Sequence, residues 1–302
     1  MGVLTEDFFD SDGVRLHYID WGGSGPPLVL LGGLGGTARL YGGLAPRLGE
    51  RFRVASFTRR GHGRSDRPGS GYDIDTLVED IRRFFDFLGI ERAALAGHSW
   101  AGQEIPLFAT KYPERVDAVI YFDAVYVLLE PQLDPAADPA LAALETEPRR
   151  EDLVSREAYL GFIKRSRPDL ASIWCDAVEA DRIENIRAFV RHGPATSIVA
   201  QMEAGLGPHR DPAYADVKAP ALALVPGGTT HPFVPPDAPE ELRRAANAYY
   251  AANFVPRIQR RTERFRRAVP TARIIELDTS NHTLFVAKEH ETVEAIFEFL
   301  GS

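Results

Sequence analysis

The chain has 302 residues, 44% hydrophobic and 26% charged, with a formal net charge of −8. That composition suits a globular protein with one large core and a subdomain, and the acidic balance without a long basic run argues against nucleic acid or an anionic membrane surface as a partner. One cysteine, Cys175, excludes an intrachain disulfide and a cysteine zinc site, and fits a reducing compartment; a cytoplasmic protein is expected.

The N-terminus, Met1 to Asp7, has no basic region followed by an apolar run, so no signal peptide is expected. Glu6 stands where a myristoylation signal needs Ser or Thr. No apolar stretch approaches the ~18 residues of a membrane span, and no internal repeat is present.

Phe8 to Trp21 reads as a hairpin about Ser11-Asp12-Gly13. Leu28 to Leu31 is a continuous apolar run, the mark of a strand buried on both faces, and it ends in Gly32-Gly33-Leu34-Gly35-Gly36. A helix is expected over Ala38 to Leu48 and a strand over Arg53 to Phe57, followed by Arg60-Gly61-His62-Gly63-Arg64-Ser65, a structural turn. Asp75 to Leu88 is an amphipathic helix with Leu77, Ile81, Phe84, Phe85 and Leu88 on one face; Asp73 or Asp75 can cap it, and Gly89 stops it.

Ala93 to Ala96 reads as a buried strand, Ile105 to Tyr112 as a helix, and Gly97-His98-Ser99-Trp100-Ala101-Gly102 joins them. A serine between small residues at a strand-to-helix turn is how a nucleophile is lifted above a sheet edge. A serine hydroxyl is a poor nucleophile alone, so a base, an acid and an oxyanion site must come from elsewhere. Val116 to Tyr121 is the next buried strand, ending at Phe122-Asp123-Ala124.

Strands alternating with helices imply an α/β fold, a mostly parallel sheet with helices on both faces. The alternation lapses over 127–216, which reads as an inserted helical lid; 1–126 and 217–302 then form one core. The sheet resumes at Pro220 to Val225. A loop and long helix cover Pro235 to Ala268, Ala272 to Leu277 is the last strand, and Glu291 to Leu300 closes the chain. The basic cluster Arg257 to Arg267 reads as a solvated helix face.

Taken in order, Gly32-Gly33 after a buried strand, Arg60 to Ser65, Gly97 to Gly102, Asp123 and Asn281-His282 resemble the α/β-hydrolase superfamily over nearly the whole chain. Gly97 to Glu104 and Tyr121 to Ala124 are similar to a subgroup with Gly-His-Ser-x-Ala-Gly-x-Glu followed by Tyr-x-Asp-Ala. The resemblance implies Ser99 as nucleophile and His282 as base. The common position for the acid, just past the strand ending at Val225, holds no carboxylate before Asp237. Some members of the family place the acid after the strand that follows the nucleophile helix, where Asp123 stands. A charge at the end of an apolar run needs a partner, and the His282 ring would supply one. Asp123 is therefore the expected acid, with Asp237 and Asp278 as alternatives. The backbone N–H groups of Leu34 and Trp100 are the expected oxyanion donors; Gly32 stands where many relatives have histidine. His98 is expected to support the site rather than act in it. Glu104 is expected in a structural ion pair with Arg60 or Arg64.

Trp174, Phe233, Tyr249 and Tyr250 are candidate pocket residues, with Phe162 and Tyr159 as further lid aromatics. Gly33 to Ala38 also fits a G-x-G-x-x-A dinucleotide fingerprint, but Thr58-Arg59-Arg60 stands where the ribose-binding acid belongs, and that reading leaves Ser99, Asp123 and His282 unexplained. The expected function is cofactor-free and metal-free hydrolysis of a carboxylic ester or lactone of a small, partly apolar molecule through an acyl-enzyme. Serine at the elbow argues against haloalkane dehalogenase or epoxide hydrolase chemistry. Carbon–carbon bond hydrolysis, cofactor-free haloperoxidation and a ligand receptor on the same scaffold stay open, as does monomer against dimer.

Overall fold

A computed structural model describes residues 4–126, 133–145, 147–193 and 196–301; the expected start of the lid at residue 127 lies outside them. Eight strands form one sheet: β1 (Thr5–Ser11), β2 (Val14–Gly22), β3 (Pro27–Leu31), β4 (Arg53–Phe57), β5 (Ala93–His98), β6 (Val116–Phe122), β7 (Ala221–Pro226) and β8 (Arg273–Leu277). Their order is β1-β2-β4-β3-β5-β6-β7-β8. The first two pairings are antiparallel and the remaining five are parallel.

Among the described residues the α-helices are α1 (Leu44–Leu48), α2 (Ile74–Phe87), α3 (Ala101–Lys111), α4 (Pro139–Ala142), α5 (Arg156–Ser166), α6 (Pro168–Ala171), α7 (Asp176–His192), α8 (Thr196–Ala204), α9 (Glu240–Ala268), α10 (Leu284–Ala287) and α11 (Glu289–Leu300). Alternate residues of β3 feed two cores. Leu28 and Leu30 join Leu44, Leu48, Phe285 and Ile296 on one face. Val29 and Leu31 join Phe84, Phe85, Ile105 and Phe108 on the other. The period of two in a strand sends neighbours to opposite faces, so a central parallel strand must be apolar throughout.

The helix expected over Ala38 to Leu48 is instead a 3₁₀ turn, Ala38–Tyr41, followed by α1. Gly42 and Gly43 separate the two. Each glycine costs a helix interior about 1 kcal/mol relative to alanine, which is enough to divide so short an element. Asp73 caps α2, accepting from the Thr76 N–H at 2.9 Å. Between β6 and β7 the described residues hold helices α4 to α8 and no strand.

The topology places the site. Pairing runs Leu31↔Gly97 and His98↔Phe122, so β3, β5 and β6 end at one edge. The chain moves outward from β3 to β4 but returns past it to β5. The carboxyl ends of β3 and β5 therefore flank the point where strand order reverses, and open parallel sheets bind ligands in the crevice at such a point.

Candidate active site

Ser99 follows β5 with φ +52°, and Asp123 follows β6 with φ +43°; both are in the left-handed region that non-glycine residues avoid. Each such residue costs on the order of 1–3 kcal/mol and persists only where its surroundings enforce it. Here the enforcement is packing. A Cβ on Gly97 would lie 2.4 Å from the Ala101 Cβ and 2.7 Å from Ile105 Cδ1, so strand and helix meet too closely for any side chain. The Ser99 N–H is held by the Phe122 carbonyl at 3.2 Å, and the Asp123 N–H by the Leu224 carbonyl at 2.9 Å.

Asp123 is buried, and its carboxylate is shared. Oδ2 accepts from His282 Nδ1 at 2.5 Å, and Oδ1 accepts from the Arg261 guanidinium. Burial is the largest influence and pushes the Asp123 pKa up, but Arg261 and then His282 together outweigh it and hold it at about 2. A carboxylate that only accepts requires the proton of the neutral His282 ring on Nδ1, which leaves the Nε2 lone pair free to accept a hydrogen bond. The His282 side chain is 46% exposed. Asp237 and Asp278 are exposed.

His98 lies against this histidine, with ring centroids 4.5 Å apart. Its Nε2 donates to the His282 carbonyl at 2.9 Å, so it holds the loop. Burial first, and then its histidine neighbour, push its pKa down to about 3, and it is neutral at ordinary pH. Asn281 secures the same loop by donating to the Asp169 carbonyl at 2.6 Å.

The turn Gly32-Gly33-Leu34 sits across from Ser99: a Cβ on Gly33 would lie 3.0 Å from the Ser99 Cβ. Arg59 fixes this turn. Its guanidinium donates to the Gly32 carbonyl at 2.9 Å and the Gly33 carbonyl at 3.2 Å. The same group is clamped by Glu104 of α3, at 2.7 and 2.5 Å. Burial pushes the Glu104 carboxyl up and Arg59 opposes it. This corrects the expected partner of Glu104. Arg60 turns instead onto Asp80 of α2, at 2.7 and 2.6 Å, and Arg64 reaches Glu6. Beyond the turn, the Thr37 N–H donates to Asp181 of α7 at 2.7 Å. A carboxylate thus stands where a dinucleotide phosphate would need donors.

Two cavities meet at His282. The smaller, about 110 Å³, is lined by Ser99, Leu34, Leu40, Leu170 and Val178, together with His282. The larger, about 460 Å³, is lined by Phe233, Tyr250, Phe254 and Ile258, together with Asp123, Arg261 and His282. Phe233 and Tyr250 therefore stand where a pocket was expected, whereas Trp174 and Tyr249 line neither cavity. Trp174 Nε1 donates to Glu179 at 3.1 Å, and Lys164 lies over its ring at 4.3 Å. Tyr249 precedes Tyr250 on α9, and consecutive helical residues point about 100° apart. Phe162 and Tyr159 pack on each other, with centroids 5.7 Å apart. Trp100 is buried against Ile198 and Met202 of α8.

Sequence reasoning missed Arg59, Arg261 and Arg167, the last of which lines the smaller cavity and pairs with Asp169. Arg261 corrects the reading of Arg257 to Arg267 as a solvated face, because its side chain is 12% exposed and paired to Asp123. The spacing Tyr250, Phe254, Ile258 and Arg261 carried a usable signal: it places all four on one stripe of α9.

A hydrolase scaffold is defined by this sheet with its strained strand-to-helix turn. A family model for the alpha/beta hydrolase fold matches residues 26–177. The chain is 30% identical over 208 residues to 2-(acetamidomethylene)succinate hydrolase of Mesorhizobium japonicum, covering 67% of this chain and 70% of that protein. It is 33% identical over 119 residues to a soluble epoxide hydrolase of Corynebacterium, of which it spans 41%. The crystal structure of E-2-(acetamidomethylene)succinate hydrolase superposes with a TM-score of 0.69 at 21% identity, covering 99% of this chain and all of that one. The chain belongs to the α/β-hydrolase family and is a hydrolytic enzyme. Among the described residues no helix is long and apolar enough to cross a membrane.

Proposed function

We propose that the protein is a serine hydrolase that cleaves a carboxylic ester or lactone of a small molecule through an acyl-enzyme. The observation that carries this reading is the Asp123–His282 hydrogen bond of 2.5 Å at the sheet edge where Ser99 stands in a left-handed turn. His282 Nε2 takes the Ser99 proton as Oγ adds to the carbonyl carbon. The N–H groups of Leu34 and Trp100 face the developing oxyanion, and Asp123 stabilises the imidazolium. Collapse breaks the carbon–oxygen bond, and the imidazolium returns its proton to the leaving oxygen. Water, activated by the same histidine, then releases the acid and restores Ser99.

The helices between β6 and β7 serve as a lid over this site. Asp181, Glu184 and Asn185 of α7 bind the backbone or side chains of the Gly35–Arg39 stretch, which supports that role. Serine at the elbow directs the chemistry away from haloalkane dehalogenation and epoxide hydrolysis.

A fluorophosphonate probe tests the reading. Wild type is expected to be labelled, and Ser99→Ala is expected to lose both labelling and ester turnover. Ester turnover retained in Ser99→Ala would refute the mechanism. Ligand-induced stabilisation without labelling or turnover would favour a receptor.

A further inference from the structure

The two cavities lie on different sides of one catalytic group. Ser99 and Leu34 open only onto the smaller cavity, Asp123 and Arg261 only onto the larger, and His282 onto both. A second partition stands beside the histidine. Arg167 lines the smaller cavity and Asp169 the larger, and the two are joined by a bidentate ion pair at 2.9 and 2.7 Å. The Arg167 guanidinium also lies 5.7 Å from the Phe233 ring centroid, on the side of the larger cavity.

Chemistry decides which part of a substrate goes where. Under the serine-hydrolase reading, on which this step rests, the carbonyl carbon must bond to Ser99 Oγ. Its oxygen must point at the Leu34 end of the smaller cavity. The bond that breaks joins this carbon to the leaving oxygen, and the proton for that oxygen comes from His282 Nε2. The leaving oxygen therefore lies on the histidine side, and the group attached to it continues past His282. We infer that the acyl group occupies the smaller chamber and the alcohol the larger, so that the enzyme prefers short-acyl esters of bulky, aromatic-bearing alcohols.

The walls support this assignment. The smaller chamber has roughly a quarter of the volume of the larger. Val178 is on α7, and α7 is tied to the Gly35–Arg39 stretch by the Asp181–Thr37 hydrogen bond, so a long acyl chain must break that tie to enlarge the chamber. The larger cavity presents Phe233, Tyr250 and Phe254, with the Tyr250 and Phe254 rings stacked at 5.1 Å. Such a surface suits a phenyl group in offset or edge-on contact. Its lining also holds a buried pair, in which His231 Nε2 meets Asp138 Oδ2 at 2.8 Å and joins α4 to the β7 loop.

Four esters test the assignment: ethyl acetate, 2-phenylethyl acetate, ethyl octanoate and 2-phenylethyl octanoate. The two alcohols are similar as leaving groups, so the comparison reports binding of the transition state rather than intrinsic reactivity. Exchanging ethyl for 2-phenylethyl is expected to raise kcat/KM at least tenfold, and exchanging acetyl for octanoyl to lower it at least tenfold. Phe254→Ala should erase most of the phenylethyl advantage while keeping the acetyl preference. Val178→Ala should relax the octanoyl penalty instead. Equal rates or the opposite order, with turnover still dependent on Ser99, would overturn the chamber assignment and leave the serine mechanism standing. Turnover that survives Ser99→Ala, or no turnover of any of the four esters, would overturn both.

Discussion

The elbow between β5 and α3 and the helical segment between β6 and β7 are held by different physics. The elbow is held by steric exclusion: Gly97 has no room for a Cβ, and Ser99 is forced to positive φ. The helical segment is held by discrete polar clasps. Asp181 holds the Thr37 N–H, Glu184 holds Arg39 and the Arg64 N–H, and Asp138 holds His231. Steric exclusion fixes an atom to within a fraction of an ångström and does not depend on pH or salt. Polar clasps can be opened one at a time, which fits the lid role proposed for these helices.

Between the two lies a third kind of support, in which buried arginines hold the groups proposed to act in catalysis. Arg59 ties the Gly32–Gly33 carbonyls to Glu104, and Arg261 ties Asp123 to α9. Substitutions that break each kind of support separate them by size. Asp123→Asn is expected to lower kcat about 10⁴-fold, because the amide favours the wrong tautomer of His282. Steady-state kinetics with a fluorogenic acetate ester would measure this, and activity within tenfold of wild type would reject Asp123 as the acid.

Arg59→Met should lower kcat by roughly 10- to 100-fold with little change in KM. The Leu34 N–H then loses its alignment with the oxyanion while substrate binding is largely kept. An equal rise in KM at constant kcat would show that Arg59 supports binding instead.

Arg261→Gln tests the electrostatic part of the comparison through stability. In the wild type the Asp123 pKa is about 2, below its ordinary value of 3.8. A depressed folded pKa contributes stability that is fully present above the unfolded value and is lost as pH falls through the folded one. The contribution here is on the order of 2 kcal/mol. The variant should be less stable at neutral pH, and its stability should fall less steeply between about pH 4 and pH 2. Urea titrations across that range would measure both effects.

Asp181→Ala carries the smallest expected effect on chemistry. It leaves the Thr37 N–H without its acceptor, at a cost of about 1–3 kcal/mol, and should change kcat for a small acetate ester less than tenfold. Its larger effect should be a weaker discrimination against long acyl groups, read from the ratio of acetate to octanoate turnover.

The elbow was legible because its signal is local: an apolar run, two small residues and a serine within ten positions, all dictated by one turn. Asp123 was legible because a charge at the end of a buried strand demands a partner, and because the usual acid position is empty of carboxylates. Arg59 and Arg261 were not legible, since their partners lie 45 and 138 residues away. Glu104 illustrates the difficulty. Three arginines were close in sequence to the right turn, and only the direction in which the chain leaves β4 decided that Arg59, rather than Arg60 or Arg64, turns inward.

Alone, the sequence determined the order of strands and helices, the strained serine turn and the carboxylate at the end of β6, because periodicity and side-chain size encode burial and turn geometry directly. Only the tertiary structure decided which arginine meets which carboxylate, which aromatics of α9 and the β7 loop face a cavity, and that His282 divides two chambers of unequal size. Pairing and cavity shape depend on distances between elements far apart in the chain. No local pattern of residues carries those distances.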